Sequence, residues 1–164
     1  MSASDTFQQA CAAAPQGMEI SAIARLAPTR RAICSEHGDR DFQTLNQRAN
    51  QIARHLRAAG LKAGDPIALV CGNRPEFVEV VMASHRLGLR LTPVNWHLKP
   101  EEIAYIVDDC EARALFADIR ISEAALAATS LSSRLVMQLS IGGEISGFDP
   151  LDSAIADLSG EDID

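Results

Sequence analysis

Gly64-Asp65-Pro66-Ile67-Ala68-Leu69-Val70-Cys71-Gly72-Asn73-Arg74-Pro75-Glu76-Phe77 is the stretch that decides the fold. A Gly-Asp-Pro turn leads into Ile67–Val70, and four consecutive apolar residues in this setting read as a strand buried on both faces. Cys71-Gly72-Asn73-Arg74 follows as a loop. Pro75 then opens a helix, because its fixed φ and missing N–H suit a first helical turn. Phe77, Val80, Val81, Ser84 and Leu87 form the apolar stripe of that helix, and Gly88 ends it.

The same unit recurs downstream. Leu89–Pro93 reads as a strand and Val94–Lys99 as a loop. Pro100-Glu101-Glu102 starts a helix with proline early and acids in the electropositive first turn. Ile103, Ile106, Val107 and Cys110 make its buried stripe. Ala114–Ala117 is a strand, Ser122–Ala128 a helix and Leu135–Leu139 a last strand. Upstream, Leu45, Ala49, Ile52, Ala53 and Leu56 form one helical stripe, with Thr44 placed to cap the start and Gly60 the end. Before it, Ile20, Ile23, Ala24 and Ala27 mark a short helix stopped by Pro28. Ala32–Cys34 and Arg40–Phe42 make a hairpin across Glu36–Asp39. Strands alternating with helices over short connections predict an α/β fold: an open, mainly parallel sheet in three layers, with helices on both faces.

Three segments are expected. Residues 1–16 are small, polar and unpatterned, which predicts a flexible N-terminus. Residues 17–139 form the α/β body. Residues 140–164 are rich in Gly, Ser and Asp and read as an acidic linker on the surface.

Composition excludes several classes. The chain is 47% hydrophobic and 23% charged, as in a globular protein and unlike a disordered one. No apolar run approaches the roughly 20 residues of a membrane-spanning helix, and no basic-then-apolar leader stands at the start; a cytoplasmic location is expected. Net charge is −7, yet the residues up to Arg134 carry 15 basic and 15 acidic groups, so the whole excess lies on the last 30 residues. A neutral body with an acidic tail argues against nucleic acid or an anionic membrane as partner. Cys11, Cys34, Cys71 and Cys110 make no C-x-x-C pair and read as free thiols, Cys71 and Cys110 on buried runs. The four histidines, His37, His55, His85 and His97, lack metal-ligand spacing, so no metal site is expected.

Neither phosphate-loop fingerprint occurs, and Gly142-Gly143 is followed by Glu144 and further acid, which repels phosphate. There is no G-x-S-x-G elbow and no histidine locally placed to activate a Ser or Cys. Asp108-Asp109 point about 100° apart on a helix and read as a solvated helix end rather than an acid–base pair. No catalytic residue is therefore expected. Ligands of open α/β sheets gather where loops leave the carboxyl ends of strands. Two loops qualify here, Cys71–Arg74 and Val94–Lys99. Asn73 and Arg74 either offer donors to an anion beside a helix start or simply make the strand-to-helix turn. Trp96 and His97 either line a pocket or pack the loop against a neighbouring segment.

The ordered motifs carry a family resemblance. Asp41-Phe42-Gln43-Thr44-Leu45, Gly60 with Gly64-Asp65, Asn73-Arg74-Pro75-Glu76-Phe77 and Leu87 to Asn95 follow one another with the spacing of the adenylate-forming enzymes, and Leu98, Glu102 and Tyr105 continue the pattern. This group includes acyl-CoA synthetases, luciferases and peptide-synthetase adenylation domains. Tyr105 to Arg113 is similar to bacterial fatty-acyl-CoA ligases. Thr44 stands where the family has Glu, at a position without a catalytic role.

The resemblance covers residues 20–160. It implies the N-terminal part of an acid–CoA ligase, fatty-acid-directed, using ATP, Mg2+ and CoA. On this reading Ser153–Asp164 matches the lead-in to a phosphate loop, so the chain alone is expected to be inactive, with no cofactor bound to it. Asn73, Asn95, Trp96 and His97 would lie beside the substrate pocket. Arg120 falls where some acetate-type ligases place arginines for CoA phosphates; its alternative is an exposed surface arginine. The competing reading is a naturally truncated homologue acting as a binding or interaction module. An unpaired sheet edge also predicts a homodimer, or an edge covered by the chain's own tail.

Overall fold

The computed structural model describes residues 3–163. Five strands form one sheet: β3 (Pro66–Val70), β4 (Arg90–Pro93), β5 (Ala114–Asp118), β6 (Met137–Ile141) and β7 (Asp149–Pro150), in the order β4-β3-β5-β6-β7. All four pairings are parallel, with Ile67 opposite Leu91 on one side and Ala114 on the other. β3 and β5 lie inside the sheet and every one of their residues is buried. This explains why Ile67–Val70 is apolar without alternation.

Helices cover both faces. On one face α3 (Phe42–Ala58), α4 (Pro75–Leu87) and α7 (Leu151–Ile155) pack Ile52, Leu56, Val80, Leu151 and Ile155 against Ile67, Leu69, Phe116, Leu139 and Ile141. On the other, α5 (Pro100–Asp109) and α6 (Ser122–Leu131) pack Ile103, Val107, Ala124, Ala125 and Ala128 against Ala68, Val70, Leu115 and Ala117. The alternating side-chain direction of a strand sends odd and even residues of β3 to different cores. A separate antiparallel pair, β1 (Arg31–Ile33) and β2 (Arg40–Asp41), precedes α3, and its register shifts between Arg31 and Ile33.

Four details differ from the sequence reading. The expected loose N-terminus is helical from Ala3 to Ala13 (α1), and it packs on α2 (Glu19–Leu26) with Ala10 buried. Alanines at 10, 12 and 13 favour helix intrinsically, and the tertiary contact completes it. The expected acidic linker is built into the body. Ile145, Phe148, Leu151 and Ile155 are buried, and β7 adds a parallel strand beside β6. Its scattered apolar residues have neither helical nor strand period over a long window, which hid them. Asp41, not Thr44, caps α3, its carboxylate accepting the Thr44 N–H at 2.7 Å. Finally, α4 buries Glu79 and leaves Val81 half-exposed.

Glu79 is 0% exposed and is neutralised from two directions. Arg40 of β2 donates from Nε to Oε1 at 2.8 Å, and Arg48 of α3 donates from Nε to Oε2 at 2.6 Å. Arg48 also reaches Asp152 of α7 at 2.7 Å. A buried carboxylate is tolerable only when paired and hydrogen-bonded. This pairing ties the hairpin, two helices and the C-terminal segment together.

Candidate functional site

From β3 the chain moves outward to β4, then crosses back over β3 to β5. Right-handed crossovers in opposite directions put α4 and α5 on opposite faces, and a crevice opens between the carboxyl ends of β3 and β5. Into this crevice the two strands deliver Arg74 and Arg120, around Asp118.

Asp118 ends β5 and is 1% exposed. Its carboxylate caps the tight turn Ile119–Ile121 by accepting the Arg120 N–H at 3.0 Å. The Arg120 side chain folds back on it, donating from Nη2 at 2.8 Å and from Nε at 3.2 Å. From the other strand Arg74, at the N-cap of α4, donates from Nε at 2.9 Å. Burial alone would push the Asp118 carboxyl up. The hydrogen bonds from Arg120 and the charges of both guanidiniums outweigh it and hold the group below its usual range. The Asp118 hydrogen bond in turn raises Arg120. Cys71 lies in the same crevice, its thiol pushed up to about 12 by burial and by Asp118, so it stays protonated and inert.

Two glycines make room for the arginines. A Cβ on Gly72 would overlap the Arg120 guanidinium, and a Cβ on Gly142 would overlap that of Arg74. Gly142 also sits at φ +80°, so its place after β6 rests on both space and backbone conformation.

Of the residues the sequence singled out, Trp96, His97 and Arg120 come together. The Arg120 guanidinium carbon lies 4.9 Å from the Trp96 ring centre, a cation–π distance. The His97 ring centre is 3.7 Å from that of Trp96, at an interplanar angle of 32°. Asn95 is exposed and serves its own loop, its Oδ1 accepting the His97 N–H at 3.0 Å. Asn73 is exposed at the rim of a cleft of about 460 Å³. That cleft lies between the β1–β2 hairpin and α4, with Ile33, Phe77 and Val78 as its apolar wall and Ser35, Glu36 and Arg74 beside them. Arg74 serves both the strand-to-helix turn and the buried pair. Asp118 escaped the sequence reading, although Asp-x-Arg directly after an apolar strand is a capping signal that points to it.

Two guanidiniums share one carboxylate at the carboxyl ends of β3 and β5, with Glu36 near enough to act on Arg120 and Glu76 on Cys71. Arg120 commits Nε and Nη2 to Asp118, and its side chain is 41% exposed, so the Nη1 edge lies outside the pair. That edge, set over an aromatic face, suits an anionic group such as a phosphate. A Cβ at Gly142 would meet Arg74 and one at Gly143 would meet Ile119. Among the described residues no group of His, Cys, Asp and Glu is placed to hold a metal ion, and no helix is long and apolar enough to cross a membrane.

Residues 20–154 match the family described as "AMP-binding enzyme". This chain belongs to that family. A fatty acid–[acyl-carrier-protein] ligase, ScoC, of Streptomyces coeruleorubidus is 34% identical over 89 residues, which are 54% of this chain and 17% of that protein. A 2-succinylbenzoate–CoA ligase of Geobacillus kaustophilus is 37% identical over 93 residues, 57% of this chain and 19% of that protein. The matched part of this AMP-binding chain is thus under a fifth of the length of these curated relatives. Among solved structures, an anthranilate CoA ligase, AuaEII, in complex with anthranoyl-AMP superposes with a TM-score of 0.84 at 21% identity, over 90% of this chain and 29% of that one. This likeness shows that the chain shares the fold of a part of that ligase.

Proposed function

We propose that this AMP-binding chain is the N-terminal part of an ATP-dependent acid–CoA ligase. Such an enzyme converts a carboxylate and ATP to acyl-AMP, and then transfers the acyl group to CoA with release of AMP. The family match over residues 20–154 carries this reading. Fatty acids are the proposed substrate class, supported by Tyr105–Arg113 and by the name of the ScoC relative.

In this reading Asn73, Asn95, Trp96 and His97 stand beside the substrate pocket. Arg120, positioned by Asp118 and Trp96, offers its outer edge to a phosphate of CoA. ATP and Mg2+ are held by the longer protein, since no phosphate loop occurs in this sequence. The protein works in the cytoplasm, and the 164-residue chain alone neither binds a cofactor nor turns over. Taken alone, it pairs with a second copy along β4, the longer of the two outer strands of the sheet.

ATP–pyrophosphate exchange tests this reading. The 164-residue chain is expected to give none, whereas the full product of its gene exchanges with a long-chain fatty acid in preference to benzoate. Exchange by the short chain defeats the inactive-fragment reading, and preference for benzoate defeats the substrate class. A second reading, a naturally truncated binding module, is favoured by one observation: residues 145–155 close the core and supply β7. Absence of exchange in every form of the gene product selects it.

A further inference from the structure

Behind the sheet, on the face of α2, α3 and α4, lies a second polar cluster unrelated to the crevice. Arg86 of α4 is largely buried, and desolvation lowers its pKa to about 10 against the pull of Asp162 and Glu19. It touches no carboxylate directly. It donates from Nη1 to Asn50 Oδ1 at 2.7 Å and from Nη2 to Asn46 Oδ1 at 2.6 Å. Both amides are thereby oriented with their N–H groups outward. Asn46 Nδ2 donates to Asp162 Oδ1 at 2.9 Å, and Asn50 Nδ2, on a fully buried residue, donates to the same oxygen at 3.2 Å. The other oxygen of Asp162 accepts from the buried Ser21 hydroxyl and, at 3.4 Å, from Arg25. The charge of Arg86 is relayed through two amides to a carboxylate.

The backbone around Asp162 is held separately. Gln51 donates to the Leu158 carbonyl at 2.9 Å, Asn50 to Gly160 at 2.9 Å, and Arg54 to Glu161 at 2.6 Å. A Cβ at Gly160 would stand 2.9 Å from Gln47 Cβ, so the segment lies directly on α3. The contacts read backbone carbonyls, the glycine's small size and a single carboxylate.

We propose that Ser21, Arg25, Asn46 and Asn50, backed by Arg86, form a carboxylate-binding site whose resident ligand is Asp162, and that this site latches residues 158–163 onto α3. The ligand class follows from the donors: four convergent groups, two of them amides fixed by a guanidinium, and no acceptor turned toward the carboxylate. Without Asp162 the buried Arg86 keeps only Glu19 as a nearby counter-charge, and the orphaned donors accept a small carboxylate from solution. The inference stands independently of the ligase reading, because it concerns this chain without substrate.

The test uses the full chain with Asp162→Ala. Hydrogen exchange of residues 158–163 is expected to quicken about tenfold or more, while the amides of β3 and β5 keep their protection. The melting midpoint falls by at least about 3 °C. Sodium formate restores both in the variant, sodium chloride at equal ionic strength does not, and wild type responds to neither. Asp162→Asn keeps an acceptor without charge and is expected to recover part of the protection. Unchanged exchange in Asp162→Ala overturns the latch. Equal rescue by chloride, or none by formate, overturns the carboxylate site. Should Asp162→Ala fail to fold, Asp162→Asn decides: wild-type exchange in that variant overturns recognition of the charge.

Discussion

Arg74 and Arg120, which leave the sheet from neighbouring strands, meet on one oxygen of Asp118, 2.9 Å from Arg74 Nε and 2.8 Å from Arg120 Nη2. The carboxylate is the pivot of the crevice: it caps its own turn, anchors the start of α4 and aims the exposed guanidinium.

Asp118→Asn therefore loses stability at neutral pH, by about 2 kcal/mol for charge-assisted hydrogen bonds of this kind. The folded pKa of Asp118 lies below its ordinary value, so its contribution is present above the unfolded pKa and is lost as pH falls through the folded one. Urea unfolding of wild type and variant is expected to differ at pH 7 and to converge below about pH 4. A difference that persists in acid contradicts the assignment.

Gly72→Ala places a methyl group where the Arg120 guanidinium lies. The obstacle is the far end of a flexible side chain, so the fold shifts by less than about 1 kcal/mol. Arg120 leaves the ring of Trp96, the chain's sole tryptophan. The emission of Trp96 is expected to change in Gly72→Ala and in Arg120→Ala alike, and to stay constant in a surface variant such as Arg134→Ala.

Glu79→Ala takes the shared buried carboxylate from Arg40 and Arg48, whose side chains are only 16% and 18% exposed, and leaves them Glu76 at 3.6 Å and Asp152 at 2.7 Å. Leaving a buried charge uncompensated costs about 3–5 kcal/mol, and here the loss lies at or below the lower end because Glu76 and Asp152 remain as partners and both arginines keep some contact with water. The urea midpoint is expected to fall with an unchanged slope. Removing Asp152, whose side chain is 72% exposed, shifts it by under about 1 kcal/mol.

Thiol titration of the native chain at neutral pH is expected to label Cys11 and Cys34, which are exposed, well before Cys110 and Cys71. Cys71 combines burial with a pKa of about 12 and reacts on unfolding. Rapid labelling of Cys71 contradicts the packed crevice.

The sheet was legible because its strands are buried on both faces and announce themselves as apolar runs between turn residues, as in Ile67–Val70 and Ala114–Ala117. Helix α3 was legible from the spacing of Leu45, Ala49, Ile52 and Leu56. Its cap was misread because Asp41 and Thr44 are both good capping residues, and only the entry path from β2 selects Asp41. Glu79 defeated the apolar stripe of α4, because periodicity cannot foresee a carboxylate matched by Arg40 and Arg48 from distant elements. Trp96 and His97 are marked by their loop after a strand, and Arg120 only by the family resemblance. Asp118, which gathers them, looks like any turn residue until the crossover brings Arg74 beside it. The tail was the largest miss. Its hold on α3 runs through backbone carbonyls, which leave no trace in side-chain identity, and through Asp162, one acid among several in the tail.

The two cores differ in thickness. Toward α3 and α4 the sheet presents Ile67, Leu69 and Phe116; toward α5 and α6 it presents Ala68 and Ala117, met by Ala124, Ala125 and Ala128. α6 thus contributes only single methyl groups to its core, whose longer side chains include Leu115 of the sheet and Ile103 and Val107 of α5. Since α6 directly follows the turn that carries Arg120, a larger residue in place of Ala124, Ala125 or Ala128 would push on the same segment that sets the charged rim.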